Sequence, residues 1–360
     1  DIGVEVYLHF GVEGDHLQGR GQIVDEQPPG FVEIEVQGAA PFENEAKDNT
    51  DGATSPLERP APGVRTIELE HKIAQLFIIT LNGLYNPNNV ERTLLRDFPP
   101  GGVIIPAIAR PVHAVEYVRA LRGTWMEKEY GVPMLIGANI NVLTQHRLNA
   151  DTGFGELPSS LSVGAGFAAE VTRDLGRLIG GDMDAMGFNF HLGPALDLAP
   201  RLTGATGTTL CLGSDPALTA QAARALVDGI TERGIVCAVT GFPGGGYDRI
   251  GDGPAVLTTP KSLVASRELA PYREAIAAGA RIVHVGNTLV PTLDESGDPA
   301  SLSTEVIGNV LRGVMGFDGL VIAGPMDAKD IAVKLKLTEA AVRSLRAGAD
   351  MLYFMGSAEQ

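Results

Sequence analysis

Few side chains of this chain are equipped for chemistry. Asp197, Asp248, Asp252 and Asp327, with His191 and Arg147, stand within or just beyond short apolar runs, where the side chains of a folded sheet protein converge. Two neighbouring carboxylates can share acid–base work, one held protonated to donate and the other ionised to accept a proton or attack carbon. That needs position and tuning as well as type, and surface or helix-capping roles account for the same aspartates at less cost. Gly244-Gly245-Gly246 invites comparison with a phosphate cradle, but no Lys-Ser/Thr pair follows it. The seven histidines form no H-x-x-x-H or H-E-x-x-H spacing, so no metal site is expected. His113, His146, His191 and His284 read as scattered surface or core residues. Cys211 and Cys237 lie on separate segments and read as free small hydrophobes. No cofactor is expected.

The elements that must position these groups follow from periodicity. Short apolar runs bounded by Gly, Pro and Asn recur near Leu76–Thr80, Gly102–Pro106, Pro133–Ala138, Phe188–Gly193, Val236–Thr240, Arg281–Val285, Gly319–Ala323 and Asp350–Phe354. Apolar runs of this length suit a parallel sheet buried on both faces. Amphipathic stretches alternate with them: Val112–Tyr130, Ala168–Met186, Pro216–Arg233, Ser262–Ala278, Ser303–Val314 and Leu337–Ala347. Eight strands with intervening helices predict an α/β fold, a (β/α)8 TIM-type barrel whose functional groups gather at the C-terminal strand ends.

Over residues 66–357 the chain resembles the N-terminal domain of glycoside hydrolase family 3, of the β-N-acetylglucosaminidase type. Lys72-Ile73-Ala74-Gln75-Leu76 looks like K-I-G-Q-M, and Gly187-Phe188-Asn189-Phe190-His191-Leu192-Gly193-Pro194-Ala195-Leu196-Asp197-Leu198 like G-I-N-M-N-F-A-P-V-L-D-V. Thr240-Gly241-Phe242-Pro243-Gly244-Gly245-Gly246-Tyr247 is similar to K-H-F-P-G-H-G-D. The frame of that peptide is kept and its polar groups are replaced. By the same resemblance the glycine run is a remnant of a catalytic loop.

The resemblance implies a catalytically degenerate site. The family nucleophile, the first aspartate of V-I-T-D-D-L, corresponds to Gly324, and the acid/base histidine of D-S-H corresponds to Gly253. Glycine cannot form the glycosyl ester of a retaining mechanism. Thr240 stands at a lysine, Gly241 and Gly245 at histidines, Asn139 and Asn141 at acids, and Leu210 at a sugar-binding arginine. Asp197, Asn189, His191, Arg147 and Asn287 remain as candidates for residual ligand binding at the mouth, although Asp197 also belongs to the retained P-x-L-D frame.

Residues 1–40 are foreign to the family. Val4-Glu5-Val6-Tyr7-Leu8-His9-Phe10 and Phe31-Val32-Glu33-Ile34-Glu35-Val36 alternate as half-buried strands do, so a small N-terminal β extension is expected. Residues 41–64 read as an acidic linker, and 65–360 as the barrel. The N-terminal extension is expected to lean on the barrel or on another chain. After the eighth strand only Met355–Gln360 follow; no closing eighth helix is expected in this chain, and the apolar surface left there is expected to be covered by a neighbouring subunit, the N-terminal element or a continuation of the chain beyond residue 360.

The whole chain has 44% hydrophobic and 20% charged residues over 360 positions, enough for a large core. A net charge of −16 argues against nucleic acid as a partner. Residues 1–64 hold 13 Asp and Glu against 3 Lys and Arg, so −10 of that charge is concentrated there. No apolar run reaches membrane-spanning length. A start at Asp1 without an apolar leader fits a processed mature protein and equally a trimmed one; an extracytoplasmic or assembly-associated site is the expectation.

The functional expectation is a non-catalytic pseudoenzyme, a structural or interaction subunit of a larger assembly engaged through residues 1–40 and exposed barrel faces. The alternative is a module that binds N-acetylglucosamine or peptidoglycan fragments without cleavage. An active β-N-acetylglucosaminidase is the third reading.

Overall fold

The structure is a computed structural model that describes residues 68–82, 86–105, 111–122, 133–138, 157–199, 210–245 and 254–356. The expected N-terminal β extension and acidic linker lie outside the described residues.

Eight parallel strands close into a barrel in sequence order. They are β1 (Phe77–Thr80), β2 (Gly102–Ile104), β3 (Leu135–Ala138), β4 (Phe190–Ala195), β5 (Val236–Phe242), β6 (Ile282–Val285), β7 (Leu320–Ala323) and β8 (Met351–Phe354). β8 pairs with β1 through Phe77 opposite Leu352, which leaves no free edge. The expected (β/α)8 barrel is therefore present, each strand within two or three residues of its place in the sequence reading.

Alternation along the strands sends one set of side chains to the axis and the other to the helices. Ile78, Ile104, Phe190, Ala238, Ile282, Ile322, Met351 and Tyr353 form the inner cluster. Phe190 fills the middle of it. A Cβ on Gly137 would lie 2.1 Å from the Phe190 ring, so β3 presents glycine where that ring crosses. The outward set, including Val103, Ile136, Val239, Val283, Val321 and Leu352, packs beneath the helices.

The helices before β4 and β5 show how sequence sets helix packing. α5 (Ala169–Met186) and α6 (Pro216–Thr231) approach through glycine: a Cβ on Gly176 would lie 2.4 Å from the Leu226 carbonyl oxygen, and one on Gly229 2.1 Å from that of Arg173. Arg173 with Asp228, and Arg177 with Glu232, bridge the same pair on the solvent side. α6 starts at Asp215, whose side chain accepts from Leu218 N, with Pro216 in the first turn.

Two sequence expectations need correction. Ser262–Ala278 is not one helix but α7 (Lys261–Val264) and α8 (Ala270–Ala277). Pro271 lies in the first turn of α8, where its missing N–H is harmless; inside a continuous helix it would remove a hydrogen bond and clash with the preceding turn. The surface beside β8, expected to need a cover from outside the barrel, is covered within the barrel itself. Leu352 is 0% exposed, α11 (Leu337–Ala347) packs against the strand, and the Phe354 ring tilts onto Phe77 with centroids 5.6 Å apart.

Shorter helices went unread in the sequence. α1 (Leu69–Ala74) leads into β1, and α2 (Asn89–Asp97) opens with a capping box in which Asn88 and Glu91 bond each other's backbone N–H. α4 (Ser160–Ala165) and α10 (Lys329–Ala332) were also unread, whereas α3 (Pro111–Leu121) and α9 (Glu305–Val314), the latter wound with the wider π pitch, correspond to the expected Val112–Tyr130 and Ser303–Val314, residues 123–132 lying outside the described residues.

Candidate functional site

The C-terminal strand ends form the mouth, and at the β5 end and directly after β7 the backbone takes positive φ that favours glycine. Gly241, inside the last turn of β5, has φ +93°. A Cβ there would lie 1.8 Å from Asp197 Oδ2, so the Asp197 carboxylate occupies the space a side chain would need. Asp197 is itself 2% exposed. Leu196 N and the Tyr272 hydroxyl both donate to the Thr240 carbonyl, at 3.1 and 3.2 Å, which fixes the β4 and β5 ends together.

Gly324, directly after β7, repeats the pattern. Its φ is +133°, and a Cβ would lie 2.7 Å from the Tyr353 carbonyl oxygen and 2.8 Å from Met326 N. Those two groups are hydrogen-bonded to each other at 2.8 Å, so neither gives way readily. Gly245, φ +77°, faces Leu257, whose Cα would lie 3.1 Å from an added Cβ. The Gly193-Pro194, Phe242-Pro243 and Gly324-Pro325 peptide bonds at these strand ends are cis.

Asp327 and Asp294, two carboxylates near the mouth, are occupied by structural hydrogen bonds. Asp327 accepts from Met355 N at 2.9 Å and from Gly356 N, pinning the chain after β8. Asp294 accepts from Ser296 N at 2.9 Å and from the Ser303 hydroxyl. Burial acts to raise the Asp294 pKa, but the Ser303 and Ser296 hydrogen bonds outweigh it and hold the carboxyl below its ordinary range. Glu91 and Glu268, which the sequence reading missed, are also buried. Glu91 accepts from Asn82 N at 2.5 Å and Asn88 N at 2.8 Å; Glu268 accepts from the Thr259 hydroxyl at 2.7 Å and Arg267 Nε at 3.0 Å. The N-x-x-E capping box was the signal available for Glu91.

Of the candidates for residual ligand binding, Asn287 lies at the mouth with both ends of its amide engaged. Nδ2 donates to the Pro325 carbonyl at 2.7 Å and Oδ1 accepts from the Ser301 hydroxyl at 2.6 Å. Asn189 is not at the mouth. It immediately precedes β4 at the opposite end, where its amide bridges β3 by accepting from Ile136 N at 2.7 Å and donating to the Met134 carbonyl at 3.0 Å. The reason is register: Phe190 opens the strand, so the residue before it sits at the starting rim. His191 is wholly buried, with Nδ1 3.2 Å from the Ala138 carbonyl. Burial pushes its pKa down to about 4 against that hydrogen bond. Leu210 is half-buried ahead of the buried pair Cys211 and Leu212. Asn139, Asn141, Arg147, Asp248, Asp252 and Gly253 lie outside the described residues.

The barrel axis below the mouth holds a polar cluster that the sequence reading did not assemble. Tyr353 and Thr80 share a hydrogen bond at 3.2 Å, and the His284 ring stands edge-on to Tyr353 with centroids 5.9 Å apart. Among the described residues neither His284 ring nitrogen meets a hydrogen-bond partner. Burial pushes its pKa down to about 4, opposed by the nearby Gly324 backbone. Burial raises the Tyr353 phenol; the Thr80 hydrogen bond opposes this and the Asp327 charge adds to it. Among the described residues no three His, Cys, Asp or Glu side chains group as metal ligands, and no helix is long and apolar enough to cross a membrane.

This closed barrel, with its mouth built from the retained P-x-L-D and F-P-G frames, agrees with the comparison to known families. The model of the glycosyl hydrolase family 3 N-terminal domain matches residues 68–359. The chain belongs to glycosyl hydrolase family 3. It is similar to a β-N-acetylglucosaminidase/β-glucosidase of Cellulomonas fimi, 26% identical over 297 residues that cover 79% of this chain and 50% of that protein. It is also similar to the β-hexosaminidase LpqI of Mycobacterium tuberculosis, 29% identical over 57% of this chain and 54% of that one. The chain thus spans about half the length of these relatives. Among solved structures, a family 3 β-N-acetylglucosaminidase from Paenibacillus sp. FPU-7 superposes with TM-score 0.72 at 27% identity, covering 81% of this chain and 56% of that one.

Proposed function

We propose that this chain is a non-catalytic member of glycosyl hydrolase family 3 that serves as a structural or interaction subunit of a larger assembly. The observation that carries the reading is the backbone at Gly324 and Gly241. By the family resemblance these positions hold the nucleophile and a histidine. Here a left-handed φ and a blocked Cβ direction favour glycine at both. A side chain at either position would require the local backbone or its neighbours to shift as well.

The names of the relatives point toward hydrolysis of β-N-acetylhexosaminides. Against that stand the replacements at Gly324, Gly253, Thr240, Gly241, Gly245, Asn139, Asn141 and Leu210. A sugar-binding module receives less support, because Asn287 and Asn189 spend their amide atoms on the fold itself and His191 is wholly buried. For the assembly role, Val171 and Leu178, seven residues apart on α5, offer exposed apolar side chains on one helical face.

Native mass spectrometry of the protein isolated from its source, with calorimetry against N-acetylglucosamine and muropeptide fragments, tests the reading. A heteromeric mass and no binding heat are expected. A lone monomer that binds sugar at micromolar concentration would instead establish the carbohydrate module.

A further inference from the structure

At the end opposite the mouth the barrel opens onto a cavity of about 720 Å3. Its floor is made by Leu135, Val236, Ile282 and Leu320, each the first residue of its strand, in β3, β5, β6 and β7. Leu320 is 40% exposed although its strand directs it toward the axis. At the rim, Arg312 is committed to Asp350 and to the carbonyls of Phe317 and Gly319. Arg281 is exposed, and its side chain makes no hydrogen bond or ion pair among the described residues.

The polypeptide joins the barrel at this same end. α1 runs straight into β1, the Ala74 carbonyl accepts from Gly101 N at 3.3 Å, and the Leu76 carbonyl accepts from Leu352 N at 2.7 Å, beside the starts of β2 and β8. A segment tethered there has a high effective concentration over the cavity, which favours it over a second copy of the chain. Fifty-seven residues separate Phe10 from Glu68, ample reach at about 3.3 Å per extended residue.

We propose that Val4–Phe10 of the same chain docks across this cavity. Val4, Val6, Leu8 and Phe10 fall on one side of an extended strand, and so match the four apolar floor residues. Phe31–Val36 supplies only Val32, Ile34 and Val36 on its apolar side. The alternate residues Glu5, Tyr7 and His9 then face away from the floor, toward solvent. Docking removes Leu320 from water. The inference does not depend on whether the mouth is catalytic.

Hydrogen exchange of the full chain tests it. Residues 4–10 are expected to exchange about tenfold or more slowly than in an isolated peptide of residues 1–30, as a docked segment does. Leu320→Lys, at a part-exposed position, is expected to abolish that protection while β4 and β5 keep theirs. Exchange of residues 4–10 at the free-peptide rate overturns the proposal, as does protection indifferent to Leu320→Lys. A native mass of two chains that falls to one in Leu320→Lys also overturns it, by giving the cavity to a second copy.

Discussion

The carboxylate of Asp197 lies where a side chain on Gly241 would have to be: an added Cβ would come within 1.8 Å of Oδ2. An aspartate after β4 and a glycine in β5 are therefore one structural unit. Gly241→Ala should destabilise the protein by about 1–3 kcal/mol, combining the left-handed backbone with steric overlap. Asp197→Ala in the same chain should relieve the overlap and leave the backbone contribution. A double-mutant cycle in urea checks this, with a favourable coupling between the two substitutions as the expected sign.

Gly324 and Gly234 separate the same two effects. Both have positive φ, but a Cβ on Gly234 meets nothing within 4 Å, whereas one on Gly324 meets Tyr353 O and Met326 N. Gly234→Ala should cost about 1 kcal/mol, the conformational part alone, and Gly324→Ala visibly more. Equal shifts in the denaturation midpoint would show that the β7 end relaxes freely.

The buried imidazoles set a pH dependence. The folded-state pKa values of His191 and His284, each about 4, lie below the ordinary 6.5, so the unfolded chain binds more protons between those limits. Their contribution to stability is complete above about pH 6.5 and is lost as pH falls toward 4, by an amount of order 3 kcal/mol per histidine. Thermal unfolding followed from pH 7 to 4 should show this slope, and His284→Gln should flatten part of it.

The thiols give a folding probe. Cys211 and Cys237 form no disulfide and are wholly buried, and burial raises the Cys237 pKa well above that of an exposed thiol. Neither should react with a chromogenic disulfide at pH 8 in the native protein, and both should react in denaturant. Native reactivity at Cys237 would mean that the β5 face opens.

The barrel was legible in the sequence because its strands are short apolar runs that local punctuation delimits; Val236, Ile282 and Met351 each open a strand within a residue of where the pattern put them. Pro271 was just as visible as a break within Ser262–Ala278, yet the amphipathic pattern on either side masked it. The mouth was legible only as missing side chains. That Asp197 backs Gly241, or that Asn189 bridges β3 at the far rim, depends on which ends of neighbouring strands meet. Spacing along one strand carries no record of that. Likewise His284, Tyr353 and Thr80 come from three strands and meet only when the barrel closes.

The central claim is that this barrel does not cleave β-N-acetylglucosaminides. Incubating the full chain with a chromogenic N-acetyl-β-glucosaminide and following release of the aglycone tests it most directly. No release above the rate in buffer is predicted, and the same for Gly324→Asp. Turnover by the unaltered chain that disappears on replacing a mouth carboxylate, Asp197→Asn or Asp327→Asn, would contradict it.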